Sequence, residues 1–452
     1  MYLLNLFFYS VILPSRSRVM LGLAFAVLLQ PFLIAGFSSA SAELPNQKHV
    51  RSRLSKNIIL QGAEVDDSSP DLLAPSFERT AYNPSVLHIR YTSAVGKTTA
   101  LGTDAFLDFT LILPNLPPQG RRVELNSNQF RVNLRQLYTS LSSQKDLKVS
   151  DTNSASRRLF DLLISPVLPL IEAQKITTLL IAADRGLQAV PFSALSDGQQ
   201  FFGSRFAFSL TPSLGLTDFD QSTSDVGDKL LALGASEFIG LSPLPLVPQE
   251  IDRVDTGGVK DKYLNDEFTP DVLLEQAADP SYSHVHVSTH ANFVPGGPSR
   301  SRLYSGTDPI ALDQLAKLRI ARQGVPLELI VFSACRTALG DSESELGFSG
   351  LALQVGARSA VGTLWYVDDV VTSAYFIQMY KYLKQGIPKA ESMQLTRQAF
   401  IRGLIRSDDD RLLGVDGTPL LTGLSQTQQR HIAHRITHPF YWAGIQLMGT
   451  PW

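Results

Sequence analysis

Three histidines lie within seven residues of one short segment, SHVHVSTHANF, at positions 283–293. Imidazoles at this spacing suit a metal site, a catalytic base, or the polar edge of an ordinary strand. Side chains alternate between the two faces of a strand, so His284 and His286 share one face and the two valines share the other. His290 follows at the end of the predicted strand, where a loop begins. It is therefore the histidine best placed for catalysis.

The chain has one cysteine, Cys335, and it ends a second apolar strand, LELIVFSAC. A cysteine becomes nucleophilic when a base or a positive charge stabilises its thiolate, and an imidazole can do this. If the two strands are neighbours, their carboxyl ends meet at one edge of the sheet. From spacing alone, two other interpretations stay open. Cys335 can be a small buried apolar residue, and His290 can be an ordinary loop histidine.

Short apolar strands alternate with helical segments from about residue 151 to the C-terminus. This pattern predicts an α/β fold with a mostly parallel sheet flanked by helices. Residues 81–150 contain three strand-like segments and one helical segment, and we predict a small β-rich α+β region there. Residues 43–80 are polar with scattered prolines, which is typical of a linker.

The 452 residues are 44% hydrophobic and 18% charged, with a formal net charge of −2. This composition excludes global disorder, and the balanced charge argues against a nucleic-acid partner. With one cysteine, no intramolecular disulfide can form.

The N-terminus has the pattern of a signal peptide over residues 1–42. Arg16 and Arg18 precede the apolar run 19–37, and Ala40-Ser41-Ala42 provides small residues for cleavage before Glu43. We therefore predict export to the periplasm or the extracellular space. The alternative is an uncleaved membrane anchor, and only then would the protein contact a membrane.

The segments HVHVSTHANF and IVFSACRTALG resemble the His and Cys motifs of the CHAT domain family, caspase-like cysteine peptidases associated with TPR repeats. LFDLLISPVLPLI, ELGFSGLALQVGARSAVGTLWYVDD and HPFYWAGIQLMG resemble further parts of the family. The resemblance covers about residues 150–452 in order, and it implies a caspase-like peptidase domain over residues 151–452.

The resemblance implies that Cys335 is the nucleophile and that His290 exchanges protons with it. The backbone N–H groups of Ala291 and Cys335 would bind the oxyanion. Many family members have glycine where this chain has Ala291, but alanine also supplies an N–H. Neither a cofactor nor a metal is implied. The expected partner is a protein or peptide substrate. Because this chain has no 34-residue helical repeat, any TPR partner must be a separate protein, or there is none.

Three further interpretations stay open. Asp368 and Asp369 follow a predicted strand, and either line a specificity pocket for a basic side chain or serve as helix N-terminal acids. His431, His434 and His438 share a helical face, but Pro439 disfavours a helix there, so a metal role is not expected. Residues 406–430 resemble an insertion, and we predict a surface loop that is either inert or gates the site.

The predicted function is therefore that of an exported cysteine endopeptidase with a His–Cys dyad. Two alternatives remain, a catalytically silent protein-binding scaffold of the same fold and a different cysteine hydrolase that uses the same pair.

Overall fold

The computed structural model describes residues 84–93, 102–113, 116–184, 186–217, 229–292, 294, 298–334, 350, 352–353, 356–365, 368–432 and 435–452. The predicted signal peptide, the predicted linker, Cys335 and His434 lie outside these residues. Within them, no helix is long and apolar enough to cross a membrane.

One eleven-stranded sheet forms the centre of the fold, in the order β3-β2-β1-β4-β5-β17-β13-β12-β8-β6-β7. Its strands are β1 Pro84–Ser93, β2 Ala105–Ile112, β3 Gln119–Leu125, β4 Thr178–Ala183, β5 Ala207–Thr211, β6 Lys229–Gly234, β7 Lys260–Leu264, β8 Tyr282–Ser288, β12 Leu329–Ser333, β13 Ser359–Thr363 and β17 Ile445–Gly449. Every residue of β4, β5, β12, β13 and β17 is buried, as expected for central strands made of continuous apolar runs.

Seven of the ten strand pairs in this sheet are parallel, and the three antiparallel pairs are β1–β2, β2–β3 and β13–β17. The predicted α/β class with a mostly parallel sheet is thus confirmed. The functional consequence is that β6, β8, β12 and β13 run in the same direction, so their carboxyl ends meet at one edge of the sheet.

The three strands of the N-terminal β-rich region continue this same sheet. β1 pairs in parallel with β4, with Leu87 opposite Ile181, and antiparallel with β2. Alternate residues of β2 are buried, from Ala105 to Leu111, which is the pattern of a strand with one covered face.

Eleven helices are resolved among the described residues. They are α1 Ser127–Ser142, α2 Ala155–Leu163, α3 Leu168–Ala173, α4 Phe202–Arg205, α5 Val247–Arg253, α6 Pro270–Gln276, α7 Lys317–Ala321, α8 Asp369–Leu383, α9 Lys389–Ile401, α10 Gln426–Ile432 and α11 Pro439–Trp442. Helix α8 contacts α5 and β12, and α9 packs on β5 and β17. Short 3₁₀ turns occupy Phe192–Ala194, Leu214–Leu216, Asn265–Glu267, Pro298–Arg300 and Leu312–Ala316.

Among the described residues, two small antiparallel sheets lie outside the main one. The first contains β9 Ala291–Asn292, β10 Arg302–Tyr304 and β11 Pro309–Ala311. The second contains β14 Arg406–Asp408, β15 Arg411–Leu413 and β16 Pro419–Leu421, within the predicted insertion.

The prediction of a surface loop is wrong for this insertion. Leu412, Leu420 and Leu421 are fully buried, and β16 packs against α5 and α8. The side chain of Gln249 in α5 donates to the Thr422 carbonyl at 2.8 Å and accepts from the Thr422 N–H at 3.0 Å. The strands are three residues long, too short to give a periodic signal among the surrounding aspartates and glycines.

A buried carboxyl in α9 gives the fold a testable pH dependence. Glu391 is 8% exposed; the Thr178 hydroxyl donates to its Oε1, and its Oε2 has no hydrogen-bond partner among the described residues. Burial raises the pKa of Glu391 to about 7. The ordinary pKa of glutamate is 4.5. Between pH 4.5 and pH 7, Glu391 in the folded chain holds a proton that it has released in the unfolded chain. This contribution to stability is therefore lost as the pH rises through that window.

We expect E391Q to be more stable than the wild type at pH 8 by up to roughly 3 kcal/mol, and to lose that advantage at pH 4.5. Urea unfolding of both proteins at the two pH values measures the difference. If the difference in unfolding free energy is the same at both, folding does not raise the pKa of Glu391.

Candidate active site

The two strands that precede His290 and Cys335 are neighbours in the sheet. β8 and β12 pair in parallel, with Ser288 opposite Ser333, and the Thr289 N–H donates to the Ser333 carbonyl at 3.2 Å. His290 comes two residues after Ser288, and Cys335 comes two residues after Ser333 in the sequence. Because Cys335 lies outside the described residues, its distance from His290 stays a prediction.

The loop that follows β6 orients the His290 ring. Nε2 lies 2.8 Å from the carbonyl oxygen of Ser242, and the ring of Phe238 packs on the imidazole with a centroid distance of 4.8 Å. A carbonyl oxygen only accepts, so Nε2 carries the hydrogen. In the neutral ring, the lone pair is then on Nδ1. The contacts with Ser242 and Phe238 fix the ring. Because His290 is only half-buried, the ring is also accessible.

The small β9–β10–β11 sheet fixes the backbone on the other side of His290. The Tyr304 N–H donates to the His290 carbonyl at 3.0 Å, and Leu303 stands opposite Ala291. The Thr289 hydroxyl donates to the Tyr304 carbonyl. His290 therefore sits between a strand end and a hairpin, and its backbone is restrained from both.

Strand β13 restrains the end of β12. The Thr363 hydroxyl donates to the carbonyl oxygen of Ala334 at 2.7 Å. Ala334 directly precedes Cys335, so the last described residue before the predicted nucleophile is held by a buried side chain of the next strand.

The acidic pair after β13 lies at the same edge. Asp368 is the N-cap of α8: it accepts from the Val371 N–H at 3.0 Å and lies 3.2 Å from His431 Nε2. Burial raises the pKa of Asp368. Burial and the neighbouring carboxylates of Glu250 and Asp368 raise the pKa of Asp369 to about 7. These contacts agree with the interpretation as helix N-terminal acids, while the specificity pocket stays a prediction.

The other two histidines of β8 have structural partners. His284 Nδ1 lies 2.8 Å from the Ser283 hydroxyl. His286 is fully buried against the rings of Phe376 and Tyr380, and its Nε2 lies 2.8 Å from Oε1 of Glu250 in α5.

Sequence reasoning missed Glu250, which is 1% exposed. Burial alone would raise its pKa, but the hydrogen bond and charge interaction with His286 and the hydrogen bond from Ser373 outweigh burial and lower it. A signal was available in the sequence: Val247, Glu250 and Ile251 share one face of α5, so an acid stands on the apolar side of a short helix.

The C-terminal histidines are engaged in other contacts. His431 pairs with Asp368, and His438 caps α11 by accepting from the Phe440 N–H while its Nε2 donates to the Lys145 carbonyl. His434 lies outside the described residues. In the part of the chain that the structure describes, no three His, Cys, Asp or Glu side chains are grouped as a metal site would require.

The family model of the CHAT domain matches residues 153–450. A search of curated proteins finds no match. Among solved structures, a chain of the Saccharomyces cerevisiae separase–securin complex is 10% identical with a TM-score of 0.47, covering 89% of this chain and 31% of that one. The Arg-specific cysteine proteinase gingipain R is 10% identical with a TM-score of 0.40, covering 72% of this chain and 75% of that one. The Porphyromonas gingivalis RgpB pro- and mature-domain complex is also similar, with 10% identity and a TM-score of 0.35, covering 72% of this chain and 77% of that one. The chain thus spans less than a third of the length of the separase chain.

Proposed function

The chain belongs to the CHAT domain family, and we propose that it is a cysteine endopeptidase with Cys335 as nucleophile and His290 as proton-transfer residue. The family match and the mostly parallel sheet confirm the predicted caspase-like α/β class. One observation carries the proposal: the His290 ring is fixed through Nε2 at the edge where β8 and β12 end in register.

Proton transfer in this proposal runs through Nδ1 of His290. Nδ1 accepts the thiol proton of Cys335, and the thiolate attacks the carbonyl carbon of the scissile peptide bond. The C–N bond breaks as the imidazolium donates that proton to the leaving amine. Water then attacks the thioester, His290 takes a proton from it, and the C–S bond breaks to release the acid and the thiol. The contact between Nε2 and Ser242 orients the ring throughout.

The oxyanion of each tetrahedral intermediate would accept from the N–H groups of Ala291 and Cys335. The strand pairing around Ala291 supports the first donor. The Tyr304 N–H donates to the His290 carbonyl, which makes His290 and Tyr304 a hydrogen-bonded pair. Pairs alternate along an antiparallel ladder, so the next pair, Ala291 and Leu303, is not hydrogen-bonded and the Ala291 N–H points away from β10. One such donor is worth about 3 kcal/mol in the transition state.

The proposed substrate is a protein or peptide, and we retain a basic residue before the cut as a specificity proposal for Asp368 and Asp369. Asp368 is occupied by the helix cap and by His431, so Asp369 is the better candidate. Because the pKa of Asp369 is raised to about 7, its carboxylate would attract a basic side chain above pH 7 and much less below it. Export after cleavage near Glu43 and a separate TPR partner remain part of the proposal.

A peptide library incubated with the purified protein tests the function. We expect hydrolysis of internal peptide bonds, with a preference for Lys or Arg before the cut that is stronger at pH 8 than at pH 6. Mass spectrometry of the products identifies each bond. If esters or side-chain amides are hydrolysed and no peptide bond is cut, the protein is a different cysteine hydrolase. If nothing is hydrolysed, the scaffold function is favoured.

A further inference from the structure

We infer that Glu250 is a positioning residue of the proposed active site: its buried carboxylate holds the end of β8, the strand that precedes His290 and pairs with the strand that precedes Cys335. The inference deepens the proposed function and rests on it. It concerns the contacts of Glu250 with His286 and Ser288 of β8, which we call the Glu250 cluster.

The carboxylate of Glu250 contacts two secondary structure elements besides its own. From β8, the Ser288 hydroxyl donates to Oε2 at 3.0 Å and His286 Nε2 lies 2.8 Å from Oε1. From α8, the Ser373 hydroxyl donates to Oε2 at 2.6 Å. Glu250 therefore holds the end of β8 through side chains, and the sheet ladder joins β8 to β12.

The spacing of the two serines makes this cluster specific to the site. Ser288 and Ser333 stand opposite each other in the parallel ladder, and each lies two residues before a member of the proposed dyad. The carboxylate thus holds the Ser-Thr-His motif at the serine that stands opposite the serine of the Ser-Ala-Cys motif. A shift of the β8 end would stretch its hydrogen bond to Glu250.

The burial of the cluster makes these bonds rigid. Glu250, His286, Ser288 and Ser373 are at most 2% exposed, so water cannot replace a lost partner without opening the core. His286 Nδ1 has no hydrogen-bond partner among the described residues, so the contact of Nε2 with Glu250 anchors this ring. The buried carboxylate depends on its donors, and removing a donor from such a group is costly.

The matched variants S288A and S373A separate positioning from general support of the core. Both remove a buried hydroxyl that donates to the same oxygen of Glu250, but only Ser288 lies on a strand of the proposed dyad. We expect similar losses in thermal stability from the two. We expect S288A to lower kcat by roughly 10- to 100-fold, as a small misplacement of reacting groups does. S373A should stay within about twofold of the wild type.

Alkylation by iodoacetamide provides a second readout that needs no substrate. Cys335 is the chain's one cysteine, so the mass of the intact protein reports this thiol alone. S288A should slow the alkylation of Cys335 at pH 7, and S373A should not.

If the wild type cleaves no peptide, the proposed function fails. If S288A and S373A behave alike in alkylation, Glu250 is a structural residue and this inference is overturned. E250Q, which keeps the shape and removes the charge, should reproduce S288A in both readouts.

Discussion

Replacing Cys335 with alanine is expected to lower the rate of peptide cleavage by at least about 10⁴-fold, because the covalent intermediate of the proposed reaction forms on its sulfur. The loss should appear in kcat, measured with the best peptide from the library. C335S should retain a trace of activity at most, since a hydroxyl is far harder to deprotonate than a thiol.

Thermal unfolding of C335A provides the control for this result. A melting temperature close to that of the wild type would show that the loss is chemical. Cleavage by C335A at more than a few per cent of the wild-type rate would mean that the reaction does not pass through Cys335.

Replacing His290 with alanine is expected to lower kcat by roughly 10²- to 10⁴-fold, the usual contribution of a general acid–base group. Without the imidazole, the thiol loses its proton acceptor and the leaving amine loses its proton donor. The effect should be smaller than that of C335A, because some thiolate forms without help as the pH rises.

H431A is a suitable control for H290A. His431 is partly exposed and pairs with Asp368 near the same edge of the sheet, but it has no part in the proposed proton transfer. H431A should cleave the same peptide within about threefold of the wild-type rate. Equal losses in H290A and H431A would contradict a specific role for His290.

Much of the central sheet is predictable from local sequence. The segments HVHVSTH and LELIVFSAC have the apolar runs of buried parallel strands, and both end at the residues proposed for catalysis. The α/β pattern and the family resemblance together predict that these two strands are adjacent in the sheet. The match of the CHAT model to residues 153–450 confirms that resemblance.

Features that depend on distant contacts were not predictable. Strand β1 pairs with β4, about 90 residues away in the sequence, and nothing local shows that the N-terminal strands extend the main sheet. Glu250 and Ser288 are 38 residues apart, and each is unremarkable until the fold brings them within 3.0 Å. The sequence of β14–β16 predicts a loop because the packing of this sheet on α5 and α8 leaves no local pattern.

The pH dependence of Cys335 alkylation in the wild type and in H290A tests the central claim most directly. An unperturbed cysteine ionises near pH 8.5, and a thiolate paired with an imidazole forms at lower pH. We predict that the wild-type protein reacts with iodoacetamide rapidly at pH 6 to 7, and that H290A reacts rapidly only as the pH approaches 8.5. Identical profiles for the two proteins would show that His290 does not act on Cys335, and would contradict the proposed dyad.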